Sequence, residues 1–211
     1  MTQLQDETVY ITGDAVLNDL VAYKGMRLTC TGTLRLECER VPDNCTIIAA
    51  KLYIKTASIG RACGLYGADI YLWISEPDGL AECAVIEATH DLSIHLLETM
   101  TFASLEAERL QLDDIVSLGE HCILRATRLI ALPKVVTLGQ DCILSAPDVS
   151  MSINELPSSC RIDTRYLTLS ALKTLPAGYS LSAQYIIAPA LQQLGDGVKI
   201  IARTFIANCL K

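Results

Sequence analysis

The sequence predicts a mainly β repeat solenoid: a right-handed stack of about nine to ten ranks of about 18–20 residues, sharing one parallel sheet. Three observations carry this. Nine cysteines in 211 residues, beside one Trp and two Phe, are an excess, and they are evenly spaced. Read as one column, Cys45, Cys63, Cys83, Phe102, Cys122, Cys142, Cys160, Tyr179 and Val198 recur at intervals of 18 to 20, and a step of 19 back from Cys45 lands on Met26. The position three before each member is Pro42, Gly60, Gly119, Gly139, Pro157, Pro176 or Gly195 in seven ranks of nine, where 12 Gly and 7 Pro placed at random would supply fewer than one. Finally, each rank contains a period-2 apolar pair, as a half-buried strand does: Leu34/Leu36, Leu52/Ile54, Leu72/Ile74, Leu92/Ile94, Leu110/Leu112, Leu129/Ala131, Val149/Met151, Leu167/Leu169 and Ile186/Ala188.

The elements follow in order. Residues 1–27 form an N-terminal cap or a degenerate first rank, with a strand at Val9-Tyr10-Ile11 and a helix over Asp14 to Tyr23; residues 28–211 form the solenoid as a single domain. Each rank carries one strand, flanked by aliphatic residues, mostly leucine, before the Gly/Pro turn (Val41, Leu118, Leu138 and Leu156 among them). Small residues, at Cys30, Ala49, Gly67, Ala126, Ala146, Thr164, Ala183 and Ala202, stand where the backbone turns back into the strand. The rhythm breaks between Glu76 and Ala103, where the acidic, His-containing stretch predicts a helical turn from Leu92 to Leu105. The chain closes on Thr204-Phe-Ile-Ala-Asn-Cys-Leu-Lys211, a last strand with an apolar rank and an unpaired edge, which points either to self-association through the C-terminal rank or to truncation from a longer chain.

Composition excludes several functions. Hydrophobic residues at 51% and charged residues at 19% are wrong for a disordered chain, and no window reaches the roughly 18 unbroken apolar residues of a membrane span. A formal charge of −7 argues against binding nucleic acid. Met1 to Asp14 has neither a basic n-region nor an apolar core, so a Sec signal peptide is not expected and the thiols belong to a reducing compartment. No CxxC occurs, so the cysteines of the column are read as small hydrophobes filling one inward slot, with Cys209 as the one exposed thiol. His90 and His95 stand an odd number apart and would leave a strand on opposite faces, so neither metal nor cofactor is expected. No nucleophile elbow and no P-loop spacing is present, and the chain reads as a non-enzyme.

The repeat unit h-x-A-x-x-L-x-L-x-x-L-x-x-L-[G/P]-x-x-C-x, clearest at Ile123–Cys142 and Arg161–Tyr179, resembles the short bacterial leucine-rich repeats. The L-x-x-L-P segment looks like the repeats of secreted effectors, and h-x-x-[I/L]-G-x-x-[C/A/F] is closer to the BspA-like surface-protein subtype. The resemblance covers about Leu28 to Asn208, but the asparagine that closes each leucine-rich repeat by bonding along the stack is missing, and Thr56, Ala57, Thr137 or Thr174 replace it only in part. A parallel β-helix of the same rank length is the structural alternative. What the resemblance implies is a bacterial interaction protein, cytoplasmic or delivered as an effector without a Sec signal.

With the leucine pairs inward, the alternate residues line the outer face of the sheet, the surface such repeats use for recognition. Aromatic and arginine anchors gather there, and the candidate partner-binding residues are Tyr53, Tyr71, Trp73, His95, Arg109, Arg128, Tyr166 and Tyr185. Arg128, Ile130 and Leu132 are placed on this face together. The expected function is non-catalytic recognition of a protein partner. The alternatives are a carbohydrate-active β-helix enzyme, a polysaccharide lyase or hydrolase working in an outer groove, and a structural self-assembling solenoid.

Overall fold

A computed structural model describes residues 8–20, 25–76, 79–80, 83–157 and 159–207, and every regular element among them is a strand. The first rank holds β1 (Thr8–Ile11) and β2 (Ala15–Leu17). The next three are long bent strands, β3 (Arg27–Val41), β4 (Thr46–Ile59) and β5 (Gly64–Ile74). Then come β6 (Val85–Ala88), β7 (Asp91–His95) and β8 (Thr99–Met100), β9 (Ser104–Leu112) with β10 (Ser117–Leu118), and β11 (Ile123–Leu132) with β12 (Thr137–Leu138). Further along lie β13 (Ile143–Ser145) and β14 (Asp148–Met151), then β15 (Arg161–Asp163), β16 (Tyr166–Leu169) and β17 (Thr174–Leu175). The last two ranks hold β18 (Ser180–Ser182), β19 (Tyr185–Ile187) and β20 (Gln193–Leu194), then β21 (Lys199–Ile201) and β22 (Thr204–Ile206). All pairing between these strands is parallel, so the chain is a parallel β-solenoid.

Where one strand per repeat is expected, a rank bends through up to three strand segments, and among the described residues the sheets number four rather than one. The 15-stranded sheet wraps around two faces, and the short strands β8, β10 and β12, with β17 and β20, line a third. Its main path counts eleven strands, β1-β3-β4-β5-β6-β9-β11-β14-β16-β19-β22, which at about 4.8 Å per step spans about 48 Å. Three β faces with no helix between them is the geometry of the parallel β-helix alternative.

Two expected helices are strands. Leu92 and Ile94 are fully buried and in register with Ile70 and Leu72 on one side and Leu110 and Leu112 on the other, so their period is 2 and the Leu92–Leu105 segment continues the ladder. Within Asp14–Tyr23 the strand is Ala15–Leu17, whose Ala15 and Leu17 pair with Leu34 and Leu36, while residues 21–23 of that expectation lie outside the described residues. Burial between neighbouring ranks overrides local helix preference in the first, and pairing along β3 with partial burial against the core does so in the second.

The inward columns run the length of the stack. One passes Leu34, Leu52, Ile70, Leu92, Leu110, Ile130, Val149, Leu167 and Ile186, each no more than 1% exposed. Ile130 thereby corrects the sequence assignment. The register shifts by one between Ala126 and Leu129, and this irregularity sends Ile130 and Leu132 inward and Leu129 and Ala131 outward. Of the small-residue column, Cys30, Ala49, Ala126, Ala146 and Ala183 are buried, and Ala107 holds the same place in β9.

The cysteine column also holds, with two corrections. Cys45, Cys63, Cys122 and Cys142 are buried, and Cys160 is half-buried against the same core. Cys83 and Phe102 lie one residue outside it, exposed, and buried Ala84 and Ala103 take the slot. They occupy instead the corner position that is left-handed in Asn44, Ala62, His121 and Asp141, with φ of 64° at Cys83 and 49° at Phe102. That corner makes its own ladder toward the following rank: the Asn44 N–H donates to Arg61 O at 2.9 Å, the Phe102 N–H to Glu120 O at 3.1 Å and the His121 N–H to Gln140 O at 3.0 Å. Each hydrogen bond offsets part of the roughly 1–2 kcal/mol that a non-glycine residue loses there.

The thiols do more than fill space. Cys63 donates to Pro42 O at 3.0 Å, Cys122 to Met100 O at 3.3 Å, Cys142 to Gly119 O at 3.0 Å and Cys160 to Gly139 O at 3.0 Å. Each reaches the carbonyl of the turn one rank before its own. Each is a side-chain bond that ties one rank to the next at the corner. At another corner the buried Thr56 hydroxyl lies 3.1 Å from Glu39 O and 3.0 Å from Ser58 O.

None of the eight described cysteines is in a disulfide. A thiol-alkylating reagent added to the native protein is therefore expected to modify Cys83 first among them and to leave Cys30, Cys45, Cys63, Cys122 and Cys142 unlabelled until denaturant is added, as peptide mass mapping would read. Rapid labelling of Cys122 or Cys142 would contradict the buried column. Cys209, expected to be exposed, lies outside the described residues.

Candidate recognition groove

The outer positions of β3, β4, β5 and β7 build a groove near the N-terminal end of the stack. Because pairing is parallel and in register, residues one rank apart stand directly beside each other, and their rings must stack or splay. Arg35, Tyr53 and Tyr71 form one outer column; Glu37, Lys55, Trp73 and His95 form the next. The rings stack: Tyr53 and Tyr71 have centroids 5.0 Å apart at 11°, Trp73 and His95 5.5 Å apart at 20°. The Arg35 guanidinium carbon lies 4.7 Å from the Tyr53 ring centroid and covers its remaining face. Between these columns and the bend that follows them is a cavity of about 810 Å³, lined by Arg35, Glu37, Tyr53, Lys55, Trp73 and Leu96 with Cys38, Glu39 and Thr56.

Four of the candidate residues, Tyr53, Tyr71, Trp73 and His95, are thus brought together as half-buried, mutually stacked rings. Arg109 borders them but is engaged: its guanidinium donates to both Asp91 oxygens, at 2.7 and 2.8 Å. That hydrogen bond holds the Asp91 carboxyl below the usual range against a smaller opposing effect of burial. Burial, then the Asp69 carboxylate, pushes the Tyr71 phenol up. Arg128 pairs with Glu108 at 2.9 Å on an exposed surface, and the shift at Ala126/Leu129 sets it one place outside the Arg109 column. Tyr166 and Tyr185 stack on each other, centroids 4.9 Å apart at 9°, but stand five and six ranks beyond Tyr71, about 24 Å or more along the axis. The eight residues therefore make one cluster and two outlying pieces.

Leu96 and Glu39 were not legible as groove residues. Leu96 has a left-handed φ of 68° and is 54% exposed, because the chain swings out of β7 there, while Asp114 accepts its N–H at 3.0 Å. An apolar residue two after the inward Ile94 carries no pattern that announces such a projection.

The groove has little catalytic equipment. Glu37 and Glu39 are both exposed on β3, and neither is sealed against an apolar wall as a general acid at neutral pH requires. The three histidines have separate neighbours: His95 stacks on Trp73, His90 lies 3.9 Å from Asp69, and His121 lies against Phe102 and 4.0 Å from Asp141. Among the described residues no group of three or more His, Cys, Asp or Glu is placed to hold a metal ion. No described helix is long and apolar enough to cross a membrane. No known protein-family model matches the sequence, and neither a curated protein nor a solved structure matches it.

Proposed function

We propose that this solenoid is a non-catalytic recognition module that takes a protein partner in the groove between Tyr53, Lys55, Trp73 and Leu96. One observation carries the proposal: the anchor rings are locked before any partner arrives, Tyr53 between Arg35 and Tyr71, and Trp73 against His95. Immobilising a free aromatic side chain on binding costs about 0.5–1.5 kcal/mol, and rings already held by the ladder avoid most of it. Trp, Tyr and Arg are also the residue types that dominate binding energy at interfaces. The charged lining, Glu37 and Glu39 with Arg35 and Lys55, supplies both signs and so selects a partner by pattern rather than by bulk charge.

The test compares Trp73→Ala/Tyr71→Ala with Tyr166→Ala/Tyr185→Ala as baits in quantitative affinity capture, followed by titration of whatever the wild type retains. The groove variant is expected to weaken binding by about 30-fold or more, the size of a hot-spot loss, and the distal variant to leave it unchanged. Equal binding by wild type and groove variant rejects the proposal.

A further inference from the structure

The outer columns are polar through much of the stack and turn apolar at both extreme ranks. The column through Arg35, Tyr53 and Gln111 opens at Val16 in β2 and finishes at Ile206 in β22. On the adjoining face, the column through Glu87 and Arg125 opens at Tyr10 in β1, and Ile201 in β21 holds the matching position in the last described rank. Tyr10 is 77% exposed, Val16 64%, Ile201 62% and Ile206 47%, which makes them four of the five most exposed large apolar residues described. Backbone edges coincide with them. Among the described strands β1 and β2 pair only with β3, and β21 and β22 pair only with β18 and β19.

We propose that the protein associates head to tail with a second copy of itself, the rank at 199–206 of one molecule pairing with the rank at 8–17 of the next. Only this orientation continues the parallel ladder and sets Ile206 beside Val16 and Ile201 beside Tyr10. Two last ranks meeting face to face would run their strands against the parallel register. The contact is heterologous, so along a straight solenoid it does not close, and chains of molecules result. It lies away from the groove and stands whether or not the groove binds a protein.

Val16→Lys and Ile206→Lys separate the orientations, because each blocks one end and leaves the other native. By light scattering across a concentration series, wild type is expected to grow in mass with concentration, and each variant alone to stay monomeric. An equimolar mixture should form dimers and nothing larger, through the one interface that remains unmutated. A wild type that is monomeric up to millimolar concentration overturns the proposal, as does Val16→Lys assembling by itself or a mixture that stays monomeric. Both side chains point outward, and circular dichroism and thermal unfolding must match wild type; if either variant fails this, Tyr10→Lys and Ile201→Lys replace the pair and are read in the same way.

Discussion

Gly139→Val is expected to destabilise the protein by about 3 kcal/mol, a fall in Tm of roughly 6–12 °C for a chain of this size. A Cβ built on Gly139 overlaps the carbonyl carbon of Gly119 and lies 2.6 Å from its oxygen and 2.5 Å from Glu120 N. These are backbone atoms of the preceding rank, whose place is set by the ladder spacing, so relief requires the two ranks to part at the corner. The Gly119 carbonyl is also the acceptor of the Cys142 thiol, and the same displacement breaks that bond. Gly178→Ala supplies the comparison. Gly178 has a φ of +73° but open space around its Cβ position, so it meets only the left-handed penalty of about 1–2 kcal/mol. Denaturant unfolding of both variants checks the difference, and equal losses would show that the rank-to-rank contact is not the cause.

Stability is also expected to hold up to about pH 9 and to fall between pH 9 and 11. Burial pushes the Cys63 thiol from 9.0 up to about 11, raises Cys45 in the same direction, and moves the Tyr179 phenol from 10.0 to about 12. An acid whose proton is held more tightly in the folded state favours folding while both states are protonated. The advantage disappears once the unfolded chain ionises and the folded chain does not, so it is lost as pH climbs from the unfolded value through the folded one. Each such group removes at most about 1.4 kcal/mol per pH unit inside its window. Denaturation midpoints at pH 7.5 and 10.5 should therefore separate widely for wild type and less for Cys63→Ser, which has no ionisable group at that site. A midpoint independent of pH over this interval would refute the assignment.

The groove was partly legible because its rings obey period 2. Tyr53, Tyr71 and Trp73 alternate with Leu52, Ile54 and Leu72, and parallel register alone is enough to stack them. Arg109 and Arg128 look equally available in the sequence, yet both are engaged by acids one rank earlier, a pairing that depends on register. Tyr166 and Tyr185 share the face but not the place, since distance along the axis is a matter of how many ranks intervene.

By itself the sequence determined the repeat length, the inward leucine and small-residue columns, and the existence of a cysteine column, because each is a periodicity that burial between stacked ranks imposes on residue type. Tertiary structure decided whatever turns on a single residue of offset. The register shift after Ala126 sends Ile130 inward, Cys83 and Phe102 yield their slots to Ala84 and Ala103, and Leu96 swings outward to wall the groove. Tertiary structure also showed what the cysteines do. Their periodicity marks a slot that excludes water, but the carbonyl that each thiol reaches belongs to another rank some twenty residues away, and only the stacked backbone brings donor and acceptor together.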